Sequence, residues 1–299
     1  NELDVPVASQ LISCTGVIGV PLPMDIVSNA IGGVAAKLQP CALELAAEAI
    51  LTTDKQAKMA SVEFDGVTLC GFAKGAGMIE PNMATMLSYF FTDVQIDKAD
   101  LDRILKRAVD KTFNSISVDS DTSTSDTVAI FSTNEKAIDE VGLQHFERAL
   151  TALCLKLARD ILGQAEGANQ VIEATVSLPT SYEDARLFTK KIINSPLIKT
   201  AVYGRDPNWG RIVMAIGKPS GRETLPEIQP ADLLIKILGQ TVFEYGNPIP
   251  IDLEALTDRM GEVKTVDIEV EIGSPVYTAK AWGCDLSEGY IKINAEYTT

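Results

Sequence analysis

Residues 62–74 read VEFDGVTLCGFAK, two short runs rich in β-branched and aromatic residues on either side of Asp65-Gly66. That dipeptide tolerates positive φ, so the stretch reads as two antiparallel strands closed by a tight hairpin turn. It leads into residues 75–87, GAGMIEPNMATML, a Gly-rich, Pro-containing piece that runs straight into the β-rich stretch Ser88 to Val94. A helix is predicted over about Lys98 to Thr112, with Asp97 placed to cap it. The polar run Asp119 to Thr127, DSDTSTSDT, reads as a loop or strand entry. After a short apolar strand, apolar residues three and four apart predict a long helix over roughly Leu143 to Leu162.

Working outward, Leu11 to Val20 reads as a Gly-punctuated strand, and Met24 to Lys37 and Cys41 to Ile50 as amphipathic helices. From Val171 the order is strand, helix, the Pro/Gly-rich loop Tyr203 to Arg211, and β-rich segments such as Val263 to Ile272 and Tyr290 to Ile293. These patterns predict an α/β fold of layered sheets and helices in two closely packed lobes, the second beginning near residue 175. Neither a repeat nor a low-complexity linker interrupts the chain.

The 299 residues are 46% hydrophobic and 22% charged, an ordinary globular composition with enough apolar surface for a large core. A net charge of -15 repels phosphate backbones, so nucleic acid is not expected as a partner. The five cysteines, Cys14, Cys41, Cys70, Cys154 and Cys284, are scattered without a CxxC pair, which suggests neither a disulfide framework nor a zinc site. No apolar run approaches the ~20 residues that span a bilayer. A cytoplasmic protein, or a mitochondrial matrix protein if the source is eukaryotic, is the expectation, with no membrane partner.

Chemistry is sparse at first sight. Histidine-based catalysis has only His145 to draw on, and that residue falls in the predicted long helix as a partly exposed face residue. Asp119, Asp121 and Asp126 with Ser123 and Thr124 imitate a metal-binding loop, but the Gly and terminal Glu of a calcium loop are lacking and no metal is expected. Thr85 offers an alternative. Standing alone, a Thr hydroxyl at a strand start is structural. If the chain breaks before it, the new α-amine, with a pKa near ~8, sits beside its own hydroxyl and one residue supplies both nucleophile and base.

Five motifs turn this into a specific expectation. KGAGMIEPNMATML from Lys74, Thr15-Gly16 within CTGVIG, SVDSDTSTSDT from Ser117, DPNWGR from Asp206 and NAEYTT at the end together resemble the ornithine acetyltransferase (glutamate N-acetyltransferase) family of arginine biosynthesis, in the family's order. Relative to that family the sequence is shortened at its front. The resemblance implies the ornithine acetyltransferase fold shared with self-processed aminopeptidases, and autocleavage between Ala84 and Thr85. Residues 1–84 would then end one subunit and residues 85–299 form another, assembled as a heterotetramer or larger.

It further implies transfer of acetyl from N-acetylornithine to glutamate through an acetyl-Thr85 ester, with Thr15 and Gly16 stabilising the oxyanion. Substrate contacts fall to Thr52 or Thr53, Lys74, Thr85, Glu166, Asn294 and Thr299. Lys74 suits a substrate carboxylate, and Glu166 suits the ornithine ammonium or proton movement. Cofactors are not required, although acetyl-CoA serves as a substrate in bifunctional members. The residues around Glu166, Gln164 to Gln170, depart from the family's usual pattern. DPNWGR is read as a structural motif near the site or a subunit contact. An amidohydrolase or aminopeptidase of the same fold, and a non-catalytic amino-acid-binding homologue, stay open as alternatives.

Overall fold

A computed structural model describes residues 3–80, 86–218 and 228–296. Ala84, Thr85 and Thr299, three positions named above, lie outside the described residues.

The front of the chain winds over the surface as α1 (Met24–Ile31) and α2 (Leu43–Ala49), joined by irregular segments. Leu11 to Val20 is not a strand. Gly19 takes φ 80 and the Val20 amide bonds back to Val17, so a turn breaks the run. Among the described residues no strand lies beside it to satisfy an extended backbone. The predicted helix from Met24 to Lys37 is also divided, because Gly33 at φ 75 leaves the helical region and only a single 3-10 turn, Ala35–Lys37, follows.

The first sheet has the order β1 (Lys58–Phe64), β2 (Val67–Lys74), β3 (Leu87–Val94), β4 (Thr127–Lys136). Phe64 pairs with Val67 across Asp65 and Gly66, whose φ values of 48 and 75 give the tight turn that the dipeptide predicts. β1, β2 and β3 are antiparallel, whereas β4 runs parallel to β3 with Leu87 opposite Thr127. One face of this sheet is covered by α3 (Lys98–Lys111) and α4 (Glu140–Gly163). Both start on an aspartate cap: Asp97 accepts from the Asp100 amide at 2.8 Å and Asp139 from the Gly142 amide at 2.7 Å. Val67, Leu69 and Phe90 from the strands meet Ile104, Phe146, Leu150 and Leu157 from the helices in one core. Each such side chain contributes roughly 1.5–3 kcal/mol by leaving water.

The second half of the chain builds β5 (Val171–Leu178), α5 (Tyr182–Ile193), α6 (Pro196–Tyr203), α7 (Trp209–Gly217), β6 (Leu233–Ile237), β7 (Gln240–Glu244), β8 (Asn247–Pro248), α8 (Leu253–Glu262), β9 (Thr265–Ile272), β10 (Tyr277–Cys284) and α9 (Glu288–Glu296). Its sheet has the order β10-β5-β9-β6-β7-β8, with β5 and β9 parallel. Alternation along β9 buries Val266, Ile268, Val270 and Ile272 in a second core. Tyr290 to Ile293, predicted as β-rich, is helical in α9. The Ser287 hydroxyl accepts from the Tyr290 amide at 3.2 Å and starts a helix that the short apolar pattern concealed.

The two sheets are stitched together through β10. Ile116 forms a bridge with Trp282, the Ser117 amide donates to the Trp282 carbonyl at 2.9 Å, and Trp282 and Cys284 pack in the first sheet's core. The DPNWGR motif turns the corner between α6 and α7. Asn208 caps α7 by accepting from the Arg211 amide at 3.1 Å, the Arg211 guanidinium donates to the Leu197 carbonyl at 2.6 Å, and Trp209 stacks on Phe243 at 4.9 Å.

Candidate active site

A pocket of about 430 Å³ opens where the end of β2, the start of β3, the loop before β4, the loop after α4 and α9 converge. Its lining includes Thr15, Gly16, Thr52, Thr53, Lys74, Glu166 and Asn294, so every described position of the predicted set comes to one place from five separate segments. Met86 and Leu87, the first described residues after Thr85, line it too.

Strand geometry sets Lys74. It is the last residue of β2, paired with Leu87, and its ammonium donates to the Thr15 hydroxyl oxygen at 3.4 Å. That oxygen acts as acceptor toward Lys74, which leaves the hydroxyl hydrogen available for donation. Burial pushes the Lys74 pKa down, and the carboxylates of Asp54 and Asp126 work against that shift. Ser13 bonds the Tyr89 hydroxyl on β3, so the segment carrying Thr15 and Gly16 is laid on the sheet at two points.

Behind this wall lies an ion pair that sequence reading missed. Asp54 and Lys58 bond each other with both side chains fully buried. Asp54 also accepts from the Gly75 amide at 2.7 Å and the Thr52 amide at 3.4 Å, tying the Thr52–Thr53 turn to the first residue after β2. Burial alone would raise the Asp54 carboxyl; the bonds from Lys58 and Gly75 outweigh it and hold the pKa below its ordinary value.

Glu166 sits on the opposite wall, only 7% exposed. Its amide donates to the Ala76 carbonyl at 2.9 Å, and the Asn294 side-chain amide donates to its Oε2 at 3.0 Å. Gly77 faces this carboxylate so closely that a Cβ there would stand 2.5 Å from Oε2. Glu166 is thus held on the pocket wall by Ala76 and Asn294, with Gly77 packed against it.

Asp119 organises the loop between. It accepts from the Met78 and Ile79 amides at 2.7 and 2.8 Å and from the Tyr290 hydroxyl at 3.2 Å. Burial and this neighbouring carboxylate push the Tyr290 phenol up. The acidic run that imitates a metal loop thus spends Asp119 on backbone amides, and among the described residues no cluster with metal-binding geometry occurs. Asp126 is different. It lines the pocket, its Oδ2 is buried with no hydrogen-bond partner among the described residues, and burial raises its pKa to about 7 against the pull of Lys74 and a bond from Ser123.

The chain on either side of residues 81–85 is fixed by independent networks. Upstream, the Glu80 carboxylate accepts two contacts from the Asn194 amide at 2.9 and 2.7 Å, and its carbonyl accepts from the Thr122 hydroxyl at 3.0 Å. Downstream, the Met86 carbonyl accepts from the Thr127 amide at 2.8 Å and β3 begins. His145 lies elsewhere, on α4, with Nδ1 2.6 Å from Asp65 on the surface. None of the described residues forms a helix long and apolar enough to cross a membrane.

The pocket thus lies in an α/β fold and is lined by hydroxyl, ammonium, carboxylate and amide groups. The profile of the ArgJ family matches residues 1–299, and the chain belongs to that family. It is 42% identical to the arginine biosynthesis bifunctional protein ArgJ 2 of Clostridium acetobutylicum over 99% of its length and 75% of that protein's. It is 38% identical to glutamate N-acetyltransferase Oat2 of Streptomyces clavuligerus over its full length and 76% of that protein's. A crystal structure of the arginine biosynthesis bifunctional protein ArgJ from Bacillus halodurans superposes with a TM-score of 0.65 at 35% identity, covering 71% of this chain and all of that one.

Proposed function

We propose that this enzyme is a glutamate N-acetyltransferase that cleaves itself between Ala84 and Thr85 and then uses Thr85 as its nucleophile. The observation that carries the reading is the convergence of Thr15, Gly16, Thr52, Thr53, Lys74, Glu166 and Asn294 on one pocket whose wall includes Met86. The comparison structure lends support: its whole chain matches 71% of this one, about 212 residues, and the stretch from Thr85 to Thr299 is 215 residues long.

In the first half-reaction the freed Thr85 amine takes the proton of its own hydroxyl as Oγ attacks the acetyl carbonyl of N-acetylornithine. Negative charge gathers on the carbonyl oxygen, where the Thr15 hydroxyl and the Gly16 amide serve as donors. The carbon–nitrogen bond breaks, the proton passes to the departing ornithine amine, and an acetyl ester remains on Thr85. In the second half the glutamate amine attacks that ester, the acetyl group moves to nitrogen, and Oγ regains a proton. Lys74 holds a substrate carboxylate and Glu166 assists with charge and proton movement, with Asn294 and Thr299 supplying neutral bonds. No cofactor enters this cycle, and acetyl-CoA acts as a second donor if the protein is bifunctional. The fragments 1–84 and 85–299 remain together in a heterotetramer or larger assembly.

The test is intact-mass spectrometry of the wild type and Thr85→Ala, followed by assay of N-acetylornithine with glutamate. Fragments meeting between Ala84 and Thr85 in the wild type only, and ornithine release that depends on glutamate, are the expected results. An uncleaved wild type would overturn the reading, and acetate release without glutamate would make the protein a hydrolase.

A further inference from the structure

Resting on that reading, the cycle sets the pocket a charge problem. Donor and acceptor react through the same α-nitrogen, so their side chains occupy one subsite in turn. The donor's ends in an ammonium, the acceptor's in a carboxylate. A fixed charge that attracts one repels the other by an amount that grows as water is excluded.

We propose that Asp126 is the specificity-determining carboxyl of this subsite: ionised, it receives the donor's side-chain ammonium, and protonated, it donates a hydrogen bond to the acceptor's side-chain carboxylate.

Three observations place it there. The register of β3 and β4 sets Leu87 opposite Thr127, and the Thr127 amide bonds the Met86 carbonyl. Asp126 therefore stands beside the chain that leads out of Thr85. Its side chain lines the pocket, and its Oδ2 is buried without a partner among the described residues, an unspent hydrogen-bonding position beside the pocket. Lys74, at the end of β2, is the cation whose charge acts on it across the pocket.

The protonation balance fits both tasks. Burial lifts Asp126 to about 7 and Lys74 restrains the rise, so both forms are populated near neutrality. An arriving ammonium favours the ionised form and an arriving carboxylate the protonated one, so each substrate selects the state that binds it. The other titratable groups on the pocket wall are differently engaged. Asp119 holds the Met78 and Ile79 amides, Glu166 holds Asn294, Tyr290 bonds Asp119, and Asp54 is spent on Lys58 and the Gly75 and Thr52 amides. Asp121 lies at the open side of the loop, its amide turned to Asp119.

The experiment measures separate KM values for N-acetylornithine and glutamate from pH 6 to 8.5 in the wild type, Asp126→Asn and Asp126→Glu. Asn keeps a hydrogen-bond donor and loses the charge. In Asp126→Asn the KM for N-acetylornithine should rise about 10- to 100-fold, the worth of one charge-assisted hydrogen bond, while that for glutamate changes less than about threefold. Wild-type KM should rise below pH 7 for N-acetylornithine and above pH 7 for glutamate, and Asp126→Asn should flatten both profiles. Asp126→Glu should retain the opposed profiles, and it serves alone if the Asn variant fails to fold. Equal changes in the two KM values, or unaltered profiles, would overturn the role of Asp126. Acetyl-enzyme on the wild-type fragment beginning at Thr85, followed by mass spectrometry, tests the underlying reading separately: its presence with unsplit KM values sinks only this inference.

Discussion

The Asn294 side chain donates a 3.0 Å hydrogen bond to Glu166, joining α9 to the loop after α4 across 128 residues of sequence. The bond stands on a pocket wall and fixes one oxygen of a nearly buried carboxylate. Asn294→Ala should therefore lower glutamate-dependent ornithine release by about 10- to 100-fold while changing stability by only about 1 kcal/mol. Steady-state turnover and a denaturant melt together check this, and a loss of stability that matched the loss of activity would argue for a scaffolding role.

Gly77→Ala should disable the same carboxylate from the other side. The added methyl would stand 2.5 Å from Glu166 Oε2, and the side chain that must yield is held by Asn294. Overpacking of this kind costs roughly 1–3 kcal/mol. A folded, cleaved protein with strongly reduced turnover is the expected result, read from a gel, a melt and an assay on one preparation.

Asp119→Ala removes the acceptor of the Met78 and Ile79 amides just upstream of the proposed cleavage site. Unsatisfied buried donors cost roughly 1–3 kcal/mol, and the loop loses its anchor. Slower appearance of the two fragments, timed by intact mass after synthesis, is the outcome expected; unchanged cleavage kinetics would show that Asp119 serves only the mature pocket.

Lys190 donates to the Ile116 carbonyl at 2.7 Å and stands 3.7 Å from Glu80; burial lowers its pKa to about 8. Its unfolded value is about 10.4, so between those limits the unfolded chain binds more protons. The contribution of this group to stability must then rise from pH 8 toward 10.4, the penalty on the buried ammonium being complete below pH 8. Urea midpoints across that window, compared with Lys190→Met, should show the slope in the wild type and its loss in the variant.

Much of this was legible because some signals are local. Asp65-Gly66 accepts the positive φ of a tight turn at little cost, and Asp97 caps a helix with its own side chain, so both read correctly from a few residues. The pocket positions Thr15, Lys74, Glu166 and Asn294 were legible for another reason: motif resemblance carries long-range geometry that periodicity does not. Where neither applied, reading failed. The apolar run Leu11 to Val20 looked like a strand because a pattern cannot show that no neighbouring strand exists. Tyr290 to Ile293 reads as extended on its short apolar pattern, whereas the Ser287 hydroxyl starts a helix there. Asp54–Lys58 was invisible because two charged residues in a polar stretch ordinarily face water, and only their mutual bond lets them be buried. Asp126 was seen as part of an acidic loop, but its orphaned oxygen exists only once β3 and β4 are side by side.

The separate fastenings of Glu80 and Met86 bear on how the protein would come apart. Glu80 is moored to Asn194 and Thr122, Met86 to Thr127, and neither mooring runs through the residues between them. A cut in that interval would sever the chain without releasing a lever. Two bands on a denaturing gel should then accompany a single calorimetric transition, and mixing the two fragments after full denaturation should regain that transition only slowly, since the covalent link that once brought the halves together would be gone.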